Sequence, residues 1–326
     1  MLKHFVEAQQ LTTDLMWKLF RRASELEKKP VASLKGKILA TLFYEPSTRT
    51  RLSFESAMLR LGGSVLSTES AAQFSSAVKG ESLQDTIRIV GRYADAIVLR
   101  HFEDGSAKQA VEVSPVPIIN AGDGKGQHPT QALLDVYTIY REFNRLANLR
   151  VAMVGDLASG RTVRSLCYLL GKFQGIEVVF ISPRHLTMGS DIKDYLTRKG
   201  VSWKEESDFA AVLPTLDVIY MTRIQKERMS VQEYEEAKGA YVLNQTNLAL
   251  VKPDARIMHP LPHVEELNFP LEVEMFDPRI AYFRQAHNGL FVRMALLELL
   301  LKGIPRTAPF SKVSSPVRTV QDLSSQ

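Results

Sequence analysis

Three hydroxyls and two guanidiniums fall within five consecutive positions of this 326-residue chain: Ser47, Thr48, Arg49, Thr50 and Arg51. They follow an apolar run, 37–44 (KILATLFY), that reads as a buried strand. They precede 52–61 (LSFESAMLRL), where Phe54, Met58 and Leu61 recur at helical spacing and Gly62-Gly63 mark a stop. A turn from strand into helix leaves the first backbone N–H groups without intrahelical partners, and the helix dipole there favours an anion. Hydroxyls and guanidiniums add charge-assisted donors suited to phosphate oxygens. A plain helix cap with solvated arginines is the simpler alternative, but a cap needs one hydroxyl and three are present.

In parallel α/β sheets ligand groups gather beyond the carboxyl ends of strands. Other apolar runs of this chain end in similar residues. Arg100-His101 ends one, and another leads into Gln127-His128-Pro129-Thr130-Gln131, with Pro129 at the first position of a helix. Asp156 and Arg161 follow the run 150–154, and Arg223-Ile224-Gln225-Lys226-Glu227-Arg228 follows 217–222. The run 256–259 ends at His259-Pro260-Leu261-Pro262. A single arginine at a strand end is usually structural; cations or amides at nearly every end point to anionic ligands. Arg161 at a helix start suits a two-point grip on a carboxylate. Arg223 and Gln225 alternate after a strand, so both can point the same way. His128 reads as a donor to a carbonyl or oxyanion, or as a surface histidine capping its helix.

Two further readings are weaker. Residues 155–162 (GDLASGRT) resemble a phosphate-binding P-loop, but Arg161 stands where Lys is required and Asp156 would put a carboxylate in the cradle. No metal-ligand spacing surrounds His128, and Pro260 and Pro262 forbid a helix that would bring His259 and His263 onto one face. No metal or other cofactor is expected.

These residues need elements to hold them. A helix is expected over 11–26, strands over 37–44 and 64–68, an exposed loop over 69–80, a helix over 81–93, and strands over 95–100 and 116–120. A Gly-rich turn, 121–127, then leads into a helix to about residue 145 that bridges two domains. A second series follows: strands at 150–154, 176–182, 217–222 and 256–259, with helices at 160–173 and 191–199. The last helix, 290–301 (LFVRMALLELLL), is apolar enough to require burial, and the polar tail from Pro305 reads as mobile. Alternation of this length predicts an α/β protein with two parallel sheets.

The bulk numbers agree. A chain with 45% hydrophobic residues is long enough for two domains with separate cores. The single cysteine, Cys167, excludes an intrachain disulfide and sits in an apolar helical pattern. Net charge is +5, but the cations are interspersed with acids, which argues against nucleic acid. No long apolar stretch predicts a membrane span, and the first residues lack the apolar core of a signal peptide, so a cytoplasmic enzyme is expected.

The motifs at 47–51, 100–101, 128–131 and 259–262, taken together, resemble the carbamoyltransferases. The stretch 222–228 (TRIQKER) resembles the branch of that family that uses aspartate. The resemblance covers about residues 1–303. It implies two doubly wound parallel-sheet domains with the active site in the cleft between them. Residues 1–132, completed by the C-terminal helix 288–303, would bind carbamoyl phosphate, and 133–287 would bind L-aspartate. It further implies that Ser47, Thr48, Arg49 and Thr50 hold the phosphate, while Thr50, Arg100 and His128 act catalytically on the carbonyl oxygen. Gln131, the Leu261 carbonyl and Pro262 would complete the carbamoyl phosphate site. Arg161, Arg223, Gln225, Lys79 and Leu261 would hold aspartate. Ser75 and Lys79 match residues that the family donates from a neighbouring subunit of a homotrimer. The implied reaction is carbamoyl transfer to aspartate in pyrimidine biosynthesis, and the resemblance admits regulatory chains or a dihydroorotase as further partners.

Some positions depart from the family pattern. His263 stands where an Arg is usual, Ala158-Ser159 replace a commoner Lys with an aromatic or His, and Arg164 replaces a frequent His. These departures bear on a subunit contact and on the rim of the aspartate site. The ornithine-specific sister enzymes share the phosphate motif but typically carry Cys where this chain has Pro260, and Arg223 with Lys226 would repel ornithine's side-chain cation. A non-catalytic anion-binding protein of the same fold would not need Lys79, Arg100 and His128 together.

Overall fold

A computed structural model describes residues 2–69, 71, 76–226 and 229–303. Ser75, Glu227 and Arg228 lie outside the described residues. The chain packs as two compact units, one of Met1–Tyr137 with Ser159–Lys172 and Ala286–Ile304, the other of Thr138–Ala158 with Phe173–Gln285. Each unit is built on a parallel sheet, as the alternation predicts.

The first sheet contains β1 (Ile38–Phe43), β2 (Ser64–Glu69), β3 (Ala96–His101) and β4 (Ile118–Asp123), in the order β2-β1-β3-β4. Helices α1 (Thr13–Lys28), α2 (Thr48–Arg60), α3 (Leu83–Val90) and α4 (Ser106–Val113) accompany it. The order reverses between β1 and β3, which pair in parallel with Phe43 opposite Arg100. That reversal is a topological switch point, where loops leave in opposite directions and open a crevice. Strands β1, β3 and β4 are almost wholly buried, which is why they read as unbroken apolar runs rather than alternating ones.

The second sheet contains β5 (Arg150–Val154), β6 (Glu177–Ile181), β7 (Ser202–Glu206), β8 (Val218–Met221) and, after the short β9 (Leu243–Asn244), β10 (Arg256–Met258), in the order β10-β8-β5-β6-β7. β9 pairs with β11 (Leu267–Asn268) in a separate two-stranded ribbon. Here the switch point falls between β5 and β8, with Val154 opposite Met221. Helices α5 (Pro129–Phe143), α6 (Arg161–Leu170), α7 (Ser190–Arg198) and α8 (Val231–Ala237) lie between strands along the chain, and α9 (Tyr282–Leu301) closes the described part. In α9 Val292, Met294, Ala295, Leu296 and Leu297 are buried. Each large apolar side chain so buried contributes about 1.5–3 kcal/mol.

Several boundaries differ from expectation. α2 begins at Thr48 rather than Leu52, because its first turn is polar and carries no apolar periodicity to announce it. α9 begins at Tyr282 rather than Leu290, because its first two turns (YFRQAHNG) mix buried and polar residues without a continuous apolar run. β4 runs through Gly122 to Asp123, where a Gly-rich turn was expected. The Asn120 side chain holds that end together: its Oδ1 accepts from the Gly122 N–H at 2.7 Å and its Nδ2 donates to Asp123 Oδ1 at 3.0 Å. Helix α4 and strand β7 had no expectation; β7 (SWKEE) is a polar strand at the sheet edge, without an apolar run.

Candidate active site

Beyond the carboxyl end of β1 the chain passes through Tyr44, Glu45 and Pro46 directly into α2. Ser47 occupies the N-cap position, yet its hydroxyl makes no capping bond. The helix start is therefore not closed by its own side chain, as a structural cap would require. Thr48 and Arg49 are exposed, Ser47 is half-buried, and Thr50 is buried in the first turn. The second guanidinium of the motif turns away: Arg51 bonds Ser67 Oγ at 3.1 Å and Glu69 at 2.7 Å, with Glu55 at 3.3 Å. Arg51 thus braces α2 against β2, a correction to the reading that both arginines face an anion.

Arg100 is the penultimate residue of β3, next to this turn. Its Nε lies 3.3 Å from Glu45 Oε2. Its neighbour His101 is buried against Tyr44, ring centroids 4.6 Å apart, and Nδ1 accepts from the Glu103 N–H at 3.1 Å. His101 is therefore a packed and bonded residue at the end of β3.

His128 precedes Pro129 at the start of α5 and is buried. Its backbone N–H donates to Ser165 Oγ of α6 at 3.0 Å, and the Thr130 hydroxyl lies 3.4 Å from Nδ1. Burial, then the charges of Arg161, Arg100 and Arg293, push its pKa well below the ordinary histidine value. A neutral ring suits the donor role: a hydroxyl that donates to Nδ1 leaves the proton on Nε2, free to be offered to a carbonyl oxygen. The surface-cap alternative fails, because this histidine is not at the surface. Gln131, one turn into the helix, is buried and donates through Nε2 to Asp135 at 2.8 Å.

Arg161 opens α6 and belongs to the first unit. Its Nη1 donates to the Gly124 carbonyl at 2.8 Å and its Nη2 lies 3.5 Å from Glu45 Oε2. Gly122 makes this approach possible: with φ at +113°, a Cβ there would stand 3.0 Å from the Arg161 Cζ. The first unit thus brings Glu45, Arg100 and Arg161 together, with His128 under the field of the two arginines.

In the second unit, Gly155 and Asp156 follow the end of β5, and Thr222 follows the end of β8. The Thr222 N–H and hydroxyl both bond the Val154 carbonyl, at 2.8 and 3.0 Å, which locks the two strand ends together. Asp156 is fully buried and accepts from Gln225 Nε2 at 3.2 Å. Its carboxylate is committed inside the loop that resembled a P-loop, so that loop is no phosphate cradle. Arg223 and Gln225 are half-buried beyond the same strand end, in irregular backbone.

Past β10, His259 Nδ1 accepts from the Leu261 N–H at 2.8 Å, and Nε2 lies 2.9 Å from Glu266 Oε1. These contacts fix Leu261 at φ +58°, with its peptide to Pro262 cis and Pro262 exposed. His263 lies 3.3 Å from Glu274. Lys79 ends a short helical turn, Ser76–Lys79, and is exposed. No group of three or more metal-ligating side chains occurs among the described residues.

Glu45, Ser165, Asp135 and Arg293 had no assigned part beforehand. Glu45 lies two residues before the first motif and carries the wrong charge for an anion site. Arg293 did leave a signal, a cation inside a mostly apolar helix that must be buried.

Comparison with known proteins agrees with this geometry. The family model for the aspartate/ornithine carbamoyltransferase carbamoyl-P binding domain matches residues 3–141, and that for the Asp/Orn binding domain matches 147–300. A Pisum sativum protein named aspartate carbamoyltransferase 2, chloroplastic, is 56% identical over 309 residues, covering 93% of this chain and 80% of that one. The solved catalytic subunit of M. jannaschii aspartate transcarbamoylase superposes with a TM-score of 0.84 at 46% identity, over 92% of this chain and 98% of that one. The Trypanosoma cruzi aspartate transcarbamoylase, solved with N-(phosphonacetyl)-L-aspartic acid, gives 0.85 at 38% identity, over 90% and 94%. With both halves of the chain matched, it belongs to the aspartate/ornithine carbamoyltransferase family.

Proposed function

We propose that this chain transfers the carbamoyl group of carbamoyl phosphate to the α-amine of L-aspartate, giving N-carbamoyl-L-aspartate and phosphate, a step of pyrimidine biosynthesis. The observation that carries this reading is the residue set at the two switch points. Hydroxyls, Arg49 and Arg100 stand at one, and Arg223 and Gln225 stand at the other. Proteins 38–56% identical to this chain bear the name of that activity.

The chemistry sets the demand. The amine attacks the carbonyl carbon, a C–N bond forms, and the C–O bond to phosphate breaks. Negative charge develops on the carbonyl oxygen before phosphate leaves, and phosphate takes the amine proton. Thr50, Arg100 and His128 donate to that oxygen; each such donor is worth about 10²–10³ in rate. Ser47, Thr48, Arg49 and Thr50 hold the phosphate. Gln131, the Leu261 carbonyl and Pro262 complete the carbamoyl end. Arg161, Arg223, Gln225, Lys79 and Leu261 bind aspartate, so that cations offset both anions where water is scarce.

Residues 1–132 with helix 288–303 act on the donor and 133–287 on aspartate. The active form is a cytoplasmic homotrimer in which a neighbour supplies Ser75 and Lys79. The exposure of Lys79 in the single chain supports that part.

Product formation from carbamoyl phosphate with aspartate or with ornithine tests the reaction; turnover with ornithine alone overturns it. Mixing Arg49→Ala with Lys79→Ala subunits tests sharing. Reassembled mixtures regain activity if sites are shared, and stay inactive if each chain carries a whole site.

A further inference from the structure

Gln131 and Asp135 lie four residues apart on α5, on one helix face, and both are buried, Asp135 completely. The Gln131 Nε2 donates to Asp135 Oδ1 at 2.8 Å. A side-chain amide has a donor end and an acceptor end, whereas a carboxylate is an acceptor. Asp135 therefore accepts the nitrogen end, and Oε1 is the end of Gln131 left to accept from something else.

Asp135 is itself backed by a cation. Arg293, on α9, is buried, and its Nη1 donates to Ser53 Oγ of α2 at 2.9 Å. Burial lowers its pKa to about 10, and the charge of Asp135 works against that loss. Gly289 leaves room for the guanidinium, since a Cβ there would stand 2.5 Å from Nη1.

We propose that Asp135 is a positioning residue that fixes the polarity of the Gln131 amide, so that the carbonyl end meets the donor substrate and selects a transferable group bearing an NH2. This rests on the reading of Gln131 as a carbamoyl contact. A carbamoyl NH2 donates to Gln131 Oε1. An acetyl methyl in its place cannot, and leaves a buried oxygen unpaired, which lowers affinity about tenfold to a hundredfold.

Two inert analogues isolate this contact. Phosphonoacetamide and acetonylphosphonate share the phosphonate, the methylene and the carbonyl, and differ in NH2 against CH3. Calorimetric titration of the full-length oligomer should show about a tenfold to hundredfold preference for the amide in the parent protein. Gln131→Ala should abolish it. Asp135→Asn, of the same shape, and Asp135→Leu should shrink the preference several-fold while acetonylphosphonate binding stays within about twofold. Asp135→Glu, which restores an acceptor, should recover part of it. If Asp135→Leu does not fold, Asp135→Asn decides the matter alone. Equal weakening of both analogues, or an undiminished preference, overturns the proposal. A parent protein without the preference, or a Gln131→Ala variant that keeps it, instead overturns the reading of Gln131.

Discussion

Glu45 Oε2 lies 3.5 Å from Nη2 of Arg161. The same oxygen lies 3.3 Å from Nε of Arg100, so one carboxylate bridges two cations of the candidate site. It is within ion-pair distance of both guanidiniums and accepts a long hydrogen bond from Arg161. Glu45→Gln keeps the shape and removes the charge. Charge-assisted bonds are worth about 1.5–3 kcal/mol, and partial exposure of all three groups places this one near the low end. The expected result is about a tenfold fall in kcat/KM with an almost unchanged thermal midpoint. Unchanged turnover with tighter phosphate binding would instead make Glu45 a competitor of the ligand.

The buried histidines give a pH dependence with a definite sign. Burial lowers the pKa of His4, His101 and His128, in the last case with help from three arginines. Above about pH 6.5 these rings are neutral in both folded and unfolded chains and contribute no pH dependence. Below it the unfolded chain takes up protons that the folded chain resists, so stability falls as pH drops toward the folded values. Urea midpoints measured from pH 7.5 to 5 should decline, most steeply below 6.5. A flat profile would show that the rings charge in place. Nitrogen-edited NMR of the imidazoles should show His128 neutral at pH 6.

Gly155 should not accept a side chain. Its φ is +117°, and a Cβ there would stand 2.1 Å from the Thr222 carbonyl oxygen. Gly155→Ala would separate the strand ends that carry Asp156 and Arg223. Backbone strain and overpacking together cost about 2–4 kcal/mol. The variant should unfold at lower urea and use aspartate less well. Retained stability would mean that the β5 and β8 ends can move apart freely.

Arg22 and Glu298 test a buried pair. Arg22 Nε and Nη2 bond the two Glu298 oxygens at 2.5 and 2.9 Å, and the Ser33 hydroxyl donates to the same carboxylate. Glu298 is 2% exposed. Arg22→Met would strand a buried carboxylate and cost about 2–4 kcal/mol, less than a fully enclosed pair because Arg22 reaches solvent. The double variant Arg22→Met, Glu298→Leu should recover most of that loss in urea unfolding. Additive losses would indicate that the two residues act separately.

Apolar runs such as 38–43 and 150–154 were legible because buried parallel strands need no polar face. Strand β7 and the first turn of α2 were not, since their polar residues answer to an edge or to a site rather than to a core. The strand-end motifs marked Arg100, His128, Arg161 and Arg223 by residue type alone. Type alone also grouped Arg51 with Arg49, until β2 was seen to supply Ser67 and Glu69 as its partners.

The sequence by itself determined the two parallel sheets, the residue types beyond their strand ends and, through those motifs, the family. Those features depend on local periodicity and chain order, which one strand of text contains. Only the tertiary structure decided which groups meet. Glu45 joins Arg161 across 116 positions. Asp135 feels a guanidinium from the last helix, and burial with neighbouring cations keeps His128 neutral. Charge, polarity and protonation depend on three-dimensional neighbours, and no spacing along the chain encodes them.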